Sequence, residues 1–167
     1  PAMKKCAYPL YNLLFPIWLL WIFPITWLLI LPANLILDLT VIVITLKVLE
    51  IQDGFSLVQK SIWKVWIMGF AADIVGSLLM FSVQFFNGSA QWTLFANAVA
   101  YDPYSNPWAC LWVVLCIAVS GALIYLFNMK FSFRTLPLDK PLRQRLALSL
   151  ALFTAPYLFL VPTSMFF

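Results

Sequence analysis

Two aspartates stand inside long apolar runs, where a charge is costly, and any chemistry of this chain has to start from them. Asp73 follows Gly69-Phe70-Ala71-Ala72, and Asp38 sits in the run Leu35-Ile36-Leu37-Asp38-Leu39. A carboxylate near a bilayer centre costs roughly 2.5–3.5 kcal/mol on insertion scales. It therefore needs a proton, a cation or hydrogen-bond donors. Gly69, Ala72, Asp73, Gly76, Ser77 and Met80 fall at i, i+3, i+4, i+7, i+8 and i+11, one weakly polar stripe of small residues on a helix. Such a stripe lets another helix approach closely. Asn34, Asp38 and Thr45 share a second face, at i, i+4 and i+11. Lys47 follows on the same helix, close enough to the inner end to reach toward Asp73. Asp73, Asp38, Asn34, Thr45, Ser77 and Lys47 thus form a candidate intramembrane site for a cation, a proton or a small polar solute. Their bland alternative is structural: an Asp73–Lys47 ion pair, or hydrogen bonds that lock helix packing. Ser120, Tyr125 and Asn128 add polar atoms further along the chain.

Other chemistries lack their residues. There is no histidine. That excludes Ser-His-Asp and Cys-His catalysis within this chain and removes the commonest zinc and haem ligand. Ser120-Gly121 is then expected to be a small-residue packing site. Cys6, Cys110 and Cys116 form no C-x-x-C motif, and their odd number argues against a disulfide framework. They are expected to act as small hydrophobes. Gly54, Gly69, Gly76, Gly88 and Gly121 are too scattered for a phosphate-binding loop. Intramembrane aspartyl proteases carry G-x-G-D, whereas Phe70-Ala71-Ala72 precedes Asp73 here. The span boundaries below also put Asp38 and Asp73 about 10 Å apart in depth, too far to share a proton. No enzyme, metal or cofactor is expected.

The elements that position these residues follow from composition. Hydrophobic residues make up 64 % of the 167 residues and charged ones 10 %, with a mean hydropathy of +0.96. A water-soluble domain of this size has no interior large enough to hide so much apolar surface. The chain reads as one all-α domain, residues 1–167, integral to a cell membrane. Apolar runs place five spans at about residues 10–31, 34–49, 65–86, 108–129 and 146–161. The first lacks a small-x-small cleavage pattern and is expected to be retained, with Met3 as the natural start after Pro1-Ala2. Pro16 and Pro24 should bend it. Leu31-Pro32-Ala33-Asn34 is expected to be a tight outer turn with Asn34 as a helix cap, because an unbroken helix over residues 10–48 would be about 58 Å long. Residues 55–64 read as an interfacial lead-in to the third span. Residues 90–100 read as a short interfacial helix held by Trp92 and Phe95. Pro156 should kink the fifth span.

Charge then orients the bundle. With these five spans, all 10 lysines and arginines fall on one side and none on the other. Positive residues in short loops mark the cytoplasmic face. The expectation is an N-terminus inside and a C-terminus outside, with anionic lipid at the basic loop of residues 130–145. That asymmetry speaks for a membrane rather than nucleic acid as the partner of the basic residues. Five spans enclose little volume, so a homo-oligomer or a membrane-protein partner is expected. Two functions fit: a small transporter or channel subunit, or a non-enzymatic scaffold, assembly or coupling subunit of a larger membrane complex.

Overall fold

A computed structural model describes residues 24–51, 54–86 and 88–163. The described residues are helical, with no strand among them. Five α-helices follow in order: α1 (Pro24–Val48), α2 (Gly54–Ser82), α3 (Ala90–Tyr101), α4 (Pro107–Phe127) and α5 (Lys140–Phe153). Three stretches are long and apolar enough to cross a membrane: Leu28–Val48, Gly54–Phe85 and Pro107–Ser132. Their outer faces carry exposed Leu28, Leu29, Ile36, Leu78, Phe85, Leu111 and Leu126. Apolar surface faces outward and polar side chains face inward, as a bilayer solvent demands.

The expected turn at Pro32 does not exist. Proline 32 lies inside α1, which runs through it unbroken, and Asn34 is an interior helix residue instead of a cap. Proline deprives the turn before it of one N–H. The carbonyl left without that N–H is Leu28's, and α1 continues through the lost bond; beside the proline the Trp66 indole Nε1–H donates to the Leu31 carbonyl at 3.0 Å and ties α2 to α1 there. Residues 24–31 and 34–48 therefore belong to one helix and not to two antiparallel spans. The remainder of the expected first span, with Lys4, Lys5, Cys6 and Pro16, lies outside the described residues.

Helix α1 stops in a Schellman motif. The Ile51 N–H reaches the Leu46 carbonyl and the Glu50 N–H the Lys47 carbonyl, both at 3.1 Å. Glu50 takes the left-handed conformation this requires, with φ of 52°. The short connection returns the chain as α2 beside α1. The expected lead-in of residues 55–64 is continuous with the span in α2. Ser89 caps α3, and Asn106 with Pro107 starts α4. Helix α4 ends in a π-helical turn, Asn128–Ser132, in which the Phe133 N–H reaches the Asn128 carbonyl at 2.9 Å.

The expected fifth span is also corrected. Helix α5 ends at Phe153, the chain breaks over residues 154–156, and a 3-10 turn follows at Tyr157–Leu160. Pro156 has no N–H for the Leu152 carbonyl and disfavours helix at Ala155. The Tyr157 hydroxyl donates to that carbonyl instead, at 2.5 Å. At 14 residues α5 is about 21 Å long, short of the hydrocarbon thickness.

Two apolar clusters fill the interior. One joins α3 to the facing halves of α2 and α4, around Met80, Val99, Val113 and Cys116. The other joins α1, α5 and the opposite halves, around Ile42, Val65, Ile124 and Leu150. The candidate site lies where the two meet. Among the described residues every lysine and arginine lies toward the second cluster's end, on the last turn of α1, the first turns of α2, or residues 130–145. Lys64 Nζ reaches Thr135 Oγ1 at 3.5 Å across that end. The charge asymmetry therefore does not depend on a turn at Pro32.

Candidate functional site

Small residues bring the helices close enough for polar groups to meet. A methyl added at Gly76 would lie 3.1 Å from Ser120 Oγ and 3.2 Å from Phe159 Cε2. One added at Gly121 would lie 3.3 Å from the Ala151 carbonyl. Gly76 thus admits α4 and the Tyr157–Leu160 turn against α2, and Gly121 admits α5 against α4. The stripe read from the sequence is the packed face of α2, with Gly69, Ala72, Asp73, Gly76 and Met80 all buried.

Asp73 is buried on this face, and Ser120 Oγ is 3.2 Å from its Oδ1. The same hydroxyl donates to the Ala72 carbonyl at 2.9 Å. A serine hydroxyl has one proton, so it serves one of these acceptors fully at a time. When the proton goes to Ala72, a protonated Asp73 completes the arrangement by donating to Ser120 Oγ. An ionised Asp73 draws the serine proton to itself. The hydrogen-bond pattern can thus register whether Asp73 carries a proton.

Asp38 is equally buried, on α1. Its Oδ2 lies 3.6 Å from the position a Cβ would take at Gly69, one turn of α2 from Asp73. The two carboxyls are near enough to act on each other electrostatically. The four-residue step from Gly69 to Asp73 puts the two carboxyls about 6 Å apart in depth, closer than the 10 Å expected from the sequence. Without the turn at Pro32, Asp38 is no longer near a helix start but well inside α1. The Thr154 side chain acts on Asp38, and its hydroxyl donates to the Leu150 carbonyl at 2.9 Å. Thr154 is where α5 breaks, so a helix C-terminus with its partial negative charge lies beside the acid pair. Among the described residues, the groups acting on the two carboxyls are Ser120, Thr154 and one another, with no lysine or arginine.

The other expected site residues stand apart. Lys47 is exposed near the end of α1, beside Leu46, Gly54 and Phe55, and forms no pair with Asp73. Ser77 Oγ donates to the Asp73 backbone carbonyl at 2.9 Å, and Thr45 Oγ1 to the Val41 carbonyl at 2.7 Å, each closing on its own helix. Asn34 is half-buried, one turn from Asp38. The sequence pattern puts Gly69 on the stripe of Asp73 but assigns neither Ser120 nor Thr154 to the acid pair. Only Thr154-Ala155-Pro156, a hydroxyl at a helix-breaking proline, carried a readable signal.

Two carboxyls, two hydroxyls and a helix C-terminus make an all-oxygen environment. It suits a proton or a hard cation, which both prefer oxygen. Comparison of the chain with protein-family models, with curated proteins and with solved structures finds no match.

Proposed function

We propose that the chain is a small multi-pass membrane protein that serves as a transporter or channel subunit, with Asp38 and Asp73 as its intramembrane site for a proton or cation. The observation that carries this reading is a buried pair of carboxyls on adjacent helices, away from every basic side chain among the described residues. Intramembrane acids without basic partners mark ion or proton pathways in other membrane proteins. The break in α5 supports it, because interrupted helices that end at midplane present carbonyls to coupling cations. The basic end faces the cytoplasm in this reading, and residues 130–145 contact anionic lipid there. A homo-oligomer or a larger membrane partner completes the route.

The test is purified protein in liposomes, assayed for proton, Na⁺ or K⁺ flux, together with its thermal stability across pH and in each salt. A cation held about 100-fold above its Kd adds about 2.7 kcal/mol to the folded state. A cation-specific rise present in the wild type and absent in Asp73→Asn supports the site. Absence of flux with no pH or cation effect on stability overturns it.

A second reading has its own observation. Ser120 ties α4 to α2 and Thr154 ties α5 to α1, so the acids also set helix register. In a scaffold or assembly subunit that would be their whole task. Asp73→Asn would then alter stability with no transport to lose.

A further inference from the structure

The π-helical turn that ends α4 holds two polar groups that the acid pair does not explain. Asn128 and Ser132 are fully buried. Asn128 donates from Nδ2 to the Ile124 carbonyl at 2.9 Å, but its Oδ1 has no partner, and neither has Ser132 Oγ. A buried polar atom left unpaired costs about 1–3 kcal/mol. π-Helical turns concentrate at functional sites.

The register of α2 against α4 says what lies around them. Asp73 meets Ser120, and α2 runs antiparallel to α4 from there toward the segment beyond the π-helical turn, where the long Lys64 side chain reaches Thr135 Oγ1. One step of four residues along each helix places Gly69 with Ile124 and a second Val65 with Asn128; beyond that the π-helical turn, whose hydrogen bonds span five residues, carries Ser132 past Val65 toward the Ser61 turn of α2. All of these residues are buried. Ser61 spends its proton on the Leu57 carbonyl at 2.8 Å and keeps its lone pairs. Between Ser61 and Ser132 on one side and the acid pair on the other stand Ile42, Val65 and Ile124, which belong to one apolar cluster and are 1–2 % exposed.

We propose that Asn128 and Ser132, with Ser61 opposite, bind water in a vestibule open to the basic end, and that Ile42, Val65 and Ile124 are the apolar gate between that water and the acid pair. A buried water needs two to four polar partners, and Asn128 Oδ1, Ser132 Oγ and Ser61 Oγ supply them. A ring of branched aliphatic side chains stops water by dewetting and opens with small helix movements. The gate's role rests on the proposed ion site. The vestibule does not.

Cysteines placed singly at Ser132, Asn128, Ile124 and Ser120 are treated with a small water-soluble thiol reagent, and labelling is resolved by mass spectrometry so that the native cysteines stay. The first two should react at least about tenfold faster than the last two, and Ile124→Ser should raise labelling at Ser120→Cys by a similar factor. Equal, slow labelling at all four positions overturns the proposal. Ser132→Ala gives an independent sign. If the hydroxyl binds water, its loss lowers Tm by about 2–4 °C. If the site is dry, removing an unpaired hydroxyl raises Tm, which overturns the vestibule. The expected labelling together with no ion uptake at Asp73 sinks the transport reading alone and leaves the vestibule standing.

Discussion

Ser120 Oγ lies 3.2 Å from Asp73 Oδ1 and 2.9 Å from the Ala72 carbonyl, so one hydroxyl proton is shared between a side chain and the backbone of the same facing helix. Ser120→Ala removes the partner of both acceptors while keeping the close approach at Gly76. It should destabilise the protein by about 1–3 kcal/mol. Thermal unfolding in detergent measures this. An unchanged Tm would mean that Asp73 is satisfied from elsewhere.

Asp73→Asn should leave the protein folded and remove pH-dependent or ion-dependent flux in liposomes. Asp38→Asn should do the same, because the two carboxyls lie within one helical turn of each other. Full flux in either variant would dismiss that residue from the site.

Gly76→Ala places a methyl 3.1–3.2 Å from Ser120 Oγ, Ser120 Cβ and Phe159 Cε2. Two neighbouring side chains must yield together, and overpacking of this kind costs about 1–3 kcal/mol. The fall in Tm should be accompanied by faster thiol labelling of Cys116, one turn from Ser120. A rise in Tm would show that the three helices are not in contact there.

Glu50→Gly should stabilise the chain by about 1 kcal/mol. The left-handed backbone at this position disfavours a residue with a Cβ and suits glycine. Chemical denaturation of the two forms decides it, and a destabilised variant would contradict the Schellman geometry.

Cysteine at Ser105 should react with an impermeant reagent applied outside intact cells, and cysteine at Thr135 should not. Both positions are exposed, at opposite ends of α4. The reverse pattern would invert the orientation inferred from charge.

What the sequence determined by itself is what depends on residue type and short-range spacing. Apolar content dictated helices long and apolar enough to cross a membrane, the 3.6-residue period marked Gly69, Ala72, Asp73 and Gly76 as a packed face, and the lysines and arginines among the described residues segregate to one end. These follow from transfer energies and helix geometry, which need no knowledge of neighbours. Only the tertiary structure decided whether a proline ends a helix. Pro32 and Pro156 each leave the carbonyl four residues earlier without an N–H, and what packs around each proline decides the outcome. At Pro32 α1 continues through the lost bond, packed along α2 with the Trp66 indole on the neighbouring Leu31 carbonyl, and Asp38 lies deep in the helix. At Pro156 the replacement comes from the Tyr157 hydroxyl after the chain has already turned, so α5 breaks and leaves Thr154 beside Asp38. The same covalent lesion gives a span in one place and a helix end in the other, because the packing that holds or releases a helix at a proline comes from neighbours that local sequence does not specify.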